Sequence, residues 1–110
     1  MDHEATEVTD RRRLALHPKL VALGTQAVHF QPPPSVKLIY PCIVYRLKST
    51  DSVAADNRNY KNMKLYQIEL IDPNPDNTYV DSLLNSFSMI KHVNTFMADN
   101  LNHYIFDLYF

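Results

Sequence analysis

Glycine is almost absent from this chain of 110 residues, and the shortage restricts how the backbone can turn. Gly24 is the single glycine, beside seven prolines and nine asparagines. Phosphate-binding loops and dinucleotide fingerprints need several glycines for close backbone approach, so both are excluded. Turns must be made by Asn, Asp and Pro, which tolerate or preset the required dihedral angles.

The length predicts a single domain over residues 1–110. The formal net charge of −1 gives no overall field that would attract nucleic acid or an anionic membrane. Cys42 is the single cysteine, which excludes an intrachain disulfide framework and a four-cysteine zinc site. No apolar run approaches the ~20 residues that span a bilayer, and the acidic start does not fit a secretory signal. We expect a soluble intracellular chain with no membrane partner.

The first 24 residues hold the first helical pattern. Acidic residues precede basic ones, an order that complements the helix dipole. Because Pro18 interrupts the pattern, a new helix is predicted to begin there, after His17, and to end at Gly24. Residues 1–13 are interpreted as a frayed N-terminal extension of the domain.

Hydrophobic patterning predicts five strands and a second helix. The strands fall at residues 27–30, 42–47, 64–72, 88–98 and 102–110. Asp99-Asn100 separates the last two as a hairpin turn. A helix capped by Asn77 or Thr78 would bury the stripe of Val80, Leu83, Leu84 and Phe87. This order predicts an α+β domain in which two helices pack on a mostly antiparallel sheet, with a long polar loop between strands.

That long loop, residues 48–63, is the segment most suggestive of function. Loops of this length in a compact domain are usually functional or disordered, and ordering one costs entropy unless it binds something. A contact with another subunit is one interpretation, and a plain flexible loop is the other. With the hairpin, the loop supplies the predicted subunit or tube interface: Asp56, Asn57, Arg58, Asn59, Tyr60, Asp99, Asn100, Asn102 and His103.

Patterns that could support catalysis are sparse. The five histidines lack metal-ligand spacing, and no cofactor or metal site is predicted. A two-residue turn would place His92 opposite Asp107, a pair that can orient a base, but no nucleophile is indicated beside it. Cys42 lies in an apolar strand and is expected to be a buried, inert thiol.

Clusters of charge also have simple interpretations. The Arg11-Arg12-Arg13 triplet could contact phosphate, and nucleic-acid binding through it would weaken steeply with salt; a solvated helix face is the simpler interpretation. Three acidic residues near the second helix do not form a calcium-loop pattern and are interpreted as turn and cap residues: Asp72, Asp76 and Asp81.

Several segments together resemble a family of virion proteins from long-tailed bacteriophages, the tail terminators, also called tail-completion or tail-to-head joining proteins. The resemblance runs from about Leu20 to the C-terminus and leaves residues 1–13 outside it. The resemblance rests on five segments: residues 30–33 (FQPP), 40–45 (YPCIVY), 55–57 (ADN), 71–76 (IDPNPD) and 95–110 (TFMADNLNHYIFDLYF).

The resemblance implies an α+β fold without enzymatic activity. It further implies a homo-oligomeric ring, a hexamer, that caps the tail tube and offers its other face to the connector protein of the neck. DNA would only pass through the lumen, and the protein would reside in the tail–neck region of the virion after assembly in the host cytoplasm. The alternatives are another neck component, such as a head-closure or connector protein, a small hydrolase using His92 and Asp107, and the nucleic-acid binder.

Overall fold

The computed structural model describes residues 11–49 and 63–110, which form two helices and one five-stranded sheet. The elements are α1 (Arg11–Val21), β1 (Ala27–Phe30), β2 (Cys42–Ser49), β3 (Leu65–Asp72), α2 (Tyr79–Ser86), β4 (Ile90–Ala98) and β5 (Leu101–Tyr109). The strand order across the sheet is β1-β2-β3-β5-β4. Only the β1–β2 pair is parallel; the other three pairs are antiparallel. The predicted α+β fold with a mostly antiparallel sheet is therefore confirmed.

The prediction that a new helix begins at Pro18 is wrong. α1 is continuous from Arg11 to Val21 with Pro18 inside it, and the helical hydrogen bond from Ala22 N to Pro18 O follows at 3.0 Å. The missing N–H of Pro18 would have paired with the carbonyl of Leu14, and the Leu14 side chain is half exposed. Because Leu16 and Leu20 are both fully buried one turn apart, packing holds the helix together across the proline.

The arginine triplet belongs to this helix. Arg11, Arg12 and Arg13 form the first turn of α1, so helical structure already begins within the stretch that was interpreted as a frayed extension. Arg13 turns back over the Phe30 ring, with its guanidinium carbon 4.4 Å from the ring centroid. The predicted helix end at Gly24 is three residues late, because α1 ends at Val21. A tighter turn follows, in which Gly24 N donates to Val21 O at 3.1 Å, and Gly24 has φ 92°, where a residue with a Cβ would be strained.

α2 starts where the sequence predicted, and Asn77 supplies the cap. Its Oδ1 accepts hydrogen bonds from the backbone N–H groups of Tyr79 (3.0 Å) and Val80 (3.4 Å). Thr78 stands at the N-cap position without a side-chain capping bond. Of the predicted stripe, Leu83 is fully buried and Leu84 is partly exposed.

Both helices pack on the same face of the sheet. Leu16 and Leu20 of α1 and Leu83 of α2 share one core with alternate residues of the three central strands: Ile43, Tyr45, Tyr66, Ile68, Leu70, Phe106 and Leu108. The Tyr45 hydroxyl lies 2.7 Å from His17 Nδ1, so its burial leaves no unpaired polar group. Burial raises the pKa of Tyr45, an effect that the nearby Arg13 partly opposes.

Candidate docking surface

The face of the sheet opposite the helices has no layer of secondary structure on it among the described residues. Because side chains alternate along a strand, the residues between the core positions of β2, β3 and β5 point to this side. We call the surface the open face and define it by Val44, Arg46, Gln67, Glu69, His103, Ile105 and Asp107. Sheets that leave one face free usually carry polar side chains there, and five of these seven are polar. Cys42, Leu65 and Ile71 lie on the same side by the same alternation but are buried.

One end of the open face carries a row of charged side chains. Lys48 Nζ lies 3.1 Å from Asp107 Oδ1, with side chains 39% and 25% exposed. Arg46 donates to Gln67 Oε1 at 2.9 Å, and Lys91 stands opposite Asp107 in the β4–β5 register. Ion pairs at this exposure contribute about 0–1 kcal/mol each, so the row adds little to stability.

The other end of the open face centres on His103. Its Nδ1 lies 2.7 Å from Glu69 Oε2, and the two side chains are 15% and 25% exposed. Phe96 of β4 stacks on the imidazole with ring centroids 4.7 Å apart and planes only 4° from parallel. The contacts span three neighbouring strands and fix the orientation of the His103 ring, so a partner would meet a preformed surface.

β4 is an edge strand that exposes apolar side chains. Every residue from Lys91 to Met97 is exposed, including Val93 (49%), Phe96 (43%) and Met97 (67%). We call these three residues the β4 patch; Phe96 points to the open face and Met97 to the helix side, so the patch extends around the edge of the sheet. An exposed edge with apolar side chains is a template for pairing with another chain, which makes the β4 patch the strongest docking candidate on the described surface.

The hairpin that carries this patch is held at its turn and by a hydrogen bond next to the turn. Asp99 and Asn100 have φ values of 55° and 62°, as the two central residues of a type I′ turn require. Asn102 Nδ2 donates to the backbone oxygen of Asp72 at 3.0 Å. The hairpin is thereby tied to the turn that follows β3.

The predicted pairing of His92 with Asp107 is wrong. Val93 forms a β-bulge, so the register shifts and His92 stands opposite Phe106, while Asp107 stands opposite Lys91. Because side chains alternate between the two faces, this shift of one residue places His92 on the helix side of the sheet. There the centroid of its ring lies 5.0 Å from the centroid of the Phe106 ring. Asp107 remains on the open face, so the hypothesis of a His92–Asp107 hydrolase loses its geometric basis.

The predicted interface residues divide into two groups. Four of them lie together in the β4–β5 hairpin, whose outer strand β4 forms the edge of the sheet: Asp99, Asn100, Asn102 and His103. The loop residues lie outside the described part of the chain: Asp56, Asn57, Arg58, Asn59 and Tyr60. The β4 patch was not predicted, because its only signal in the sequence is apolar residues on both faces of the predicted strand.

Cys42 is completely buried at the start of β2. Burial, and secondarily the charge of Glu69, raises the pKa of its thiol from 9.0 to about 11. A thiolate is therefore scarce at neutral pH, which agrees with the expectation of an inert cysteine.

This pKa shift predicts a loss of stability in alkaline solution. The folded state keeps the Cys42 proton up to about pH 11, whereas the unfolded chain loses it near pH 9. The stabilising contribution is complete below pH 9 and should disappear as the pH rises through 11, a change of about 3 kcal/mol. Urea titrations from pH 8 to 11 measure it.

The matched control for that measurement is Cys42→Ala. Since other groups also ionise in this range, only the difference between the two pH profiles reports on the thiol. Parallel profiles would contradict the assignment of the shift to Cys42.

Comparison with known proteins gives no relative. No family model, no curated protein and no solved structure matches this chain.

Within residues 11–49 and 63–110, no group of three or more His, Cys, Asp or Glu side chains could hold a metal ion. Over the same ranges, neither helix has the length and apolar character needed to cross a bilayer.

Proposed function

We propose that this chain is a structural subunit of a bacteriophage virion that forms a ring on the tail tube and joins it to the neck connector. The observation that carries the proposal is the β4 patch, three apolar side chains exposed along a nine-residue edge strand. The resemblance of residues 20–110 to tail terminators supplies the identity of the assembly.

The sheet offers two edges that differ in length and chemistry. β4 has nine residues and its apolar patch, whereas β1 at the opposite edge has four residues, all partly buried. Contacts between two unlike surfaces of identical subunits are heterologous, and they close into a ring when the rotation between subunits closes. A ring subunit of this kind needs docking surfaces rather than a catalytic pocket, and the exposure of the open face and of the β4 patch supports the proposal.

The direct test mixes the purified full chain with purified tail tubes. Negative-stain images should show a ring at one end of each tube, and the mass of the complex should give six copies per end. A native mass of the protein alone, measured beside it, shows whether the ring exists before docking. Absence of binding to tubes would contradict the proposal, and attachment to DNA-filled heads would assign the chain to the head-closure side of the neck.

A further inference from the structure

The methionines of the chain differ in how far water reaches them. Met97 is 67% exposed, the highest value among the large hydrophobic side chains of the described residues. Met63 and Met89 are only partly exposed, and both line one pocket at the end of the sheet. The fourth methionine, Met1, lies outside the described residues. An oxidant in solution therefore reaches the Met97 thioether more readily than the other two described thioethers.

The position of Met97 connects this exposure to assembly. The residue belongs to the β4 patch, and β4 is paired on one side only, with β5. Met97 stands opposite Asn102 and points to the helix side of the sheet. A subunit that docks on the β4 edge would cover this side chain and exclude water from it. The Met97 sulfur is thus accessible in the isolated chain and shielded in the ring.

Hydrogen peroxide is the simplest oxidant that can react at this sulfur. A lone pair of Met97 Sδ attacks one peroxide oxygen, the S–O bond forms as the O–O bond breaks, and the other oxygen leaves as water. The sulfur loses two electrons and the peroxide gains them. The product is a sulfoxide, which is polar and chiral where the thioether was flexible and apolar. Burying the sulfoxide oxygen in a contact that gives it no hydrogen-bond donor costs free energy.

We propose that Met97 is an oxidation site that controls docking on the β4 edge, with the thioether form docking and the sulfoxide form excluded. The inference rests on the proposed ring and concerns its regulation. Loss of the apolar contact and desolvation of the sulfoxide together should weaken docking at least about tenfold. Docking in turn shields the thioether, so subunits in a ring should be oxidised more slowly than free subunits.

The first measurement follows the oxidation of the isolated full chain. The protein is treated with dilute hydrogen peroxide, and samples quenched at intervals are digested and analysed by mass spectrometry. The peptide that contains Met97 should gain one oxygen atom before the peptides of Met63 and Met89 do, because susceptibility follows exposure. Equal rates at the three positions would overturn the assignment of Met97 as the reactive site.

The second measurement tests docking of the oxidised chain. Treated and untreated proteins are titrated against purified tail tubes, and rings at tube ends are counted by negative stain. The protein concentration for half-maximal ring occupancy should rise at least about tenfold after oxidation. Two methionine sulfoxide reductases, one for each sulfoxide epimer, should restore the original value.

Met97→Leu and Met89→Leu form a matched pair of variants. Each substitution keeps an apolar side chain of similar volume and removes one thioether. After peroxide treatment, Met97→Leu should still form rings, whereas Met89→Leu should lose them as the unsubstituted chain does. Rings that remain sensitive to peroxide in Met97→Leu would show that another residue is responsible and would refute the proposal.

Failure of this inference can be told apart from failure of the proposed function. Untreated protein that forms no rings contradicts the ring, and control by Met97 falls with it. Rings that form equally well from untreated and oxidised protein contradict the control by Met97 alone. Urea unfolding of the oxidised subunit should give an unchanged midpoint; a lowered midpoint would attribute the loss of rings to unfolding and would also contradict the proposal.

Discussion

Phe106→Ala is expected to lower the free energy of unfolding by about 3–5 kcal/mol, the usual cost of emptying an aromatic core position. The Phe106 side chain is fully buried on β5, with β3 on one side and β4 on the other. Total stabilities of small domains are about 5–15 kcal/mol, so this one change could remove much of the margin. Urea unfolding at neutral pH measures it.

Phe96→Ala is the matched control for this result. It removes the same side chain from the same hairpin, but Phe96 lies on the open side and is 43% exposed. We expect a loss below about 1.5 kcal/mol, because part of the ring already contacts water and only its stacking on His103 is lost. Equal losses at the two positions would mean that the core does not lie on the helix side of the sheet.

The positions of the strands could be predicted because their signal is local. In β3, Tyr66, Ile68 and Leu70 alternate with Gln67 and Glu69, and this alternation is the pattern that burial of one face imposes. The hairpin turn was predictable for the same reason, since Asp99-Asn100 supplies two adjacent residues that tolerate positive φ.

Long-range packing decided the features that could not be predicted. Pro18 is a local signal for a helix boundary, yet burial of Leu16 and Leu20 keeps α1 continuous. Nothing in the run of residues 88–98 reveals that Val93 forms a bulge, although that single extra residue moves His92 from the open face to the helix face.

The candidate site depends on sheet order more than on any motif. Residues 88–98 could be predicted as a strand, but their exposure follows from β4 lying at the edge, outside β5. The apolar residues of the β4 patch would be ordinary core residues in a central strand. They are candidates for docking only because the sheet order places β4 at the edge, and the sheet order cannot be read from the local sequence pattern.

Met97→Glu on the β4 patch is expected to abolish ring assembly while leaving the subunit folded. Met97 is 67% exposed, so a charge there is solvated in the isolated chain and should change its stability by less than about 0.5 kcal/mol. Met97 stands opposite Asn102 and points to the helix side of the sheet. A subunit docked on the β4 edge would cover that position and bury the carboxylate, and charges on edge strands are a common device that prevents such pairing. Loss of the methionine contact and desolvation of the charge together should weaken assembly at least about 100-fold.

Ile39→Glu provides the control, since Ile39 is similarly exposed at 63% but lies in the segment between β1 and β2. Both variants lose one apolar side chain and gain one negative charge, and only Met97→Glu places that charge on the sheet edge. Counting rings at tube ends by negative stain, with urea unfolding of each subunit alongside, separates assembly from folding. Rings that form as well with Met97→Glu as with Ile39→Glu would show that the β4 patch is not the contact between subunits, because a buried carboxylate without a partner at that edge costs too much for assembly to tolerate.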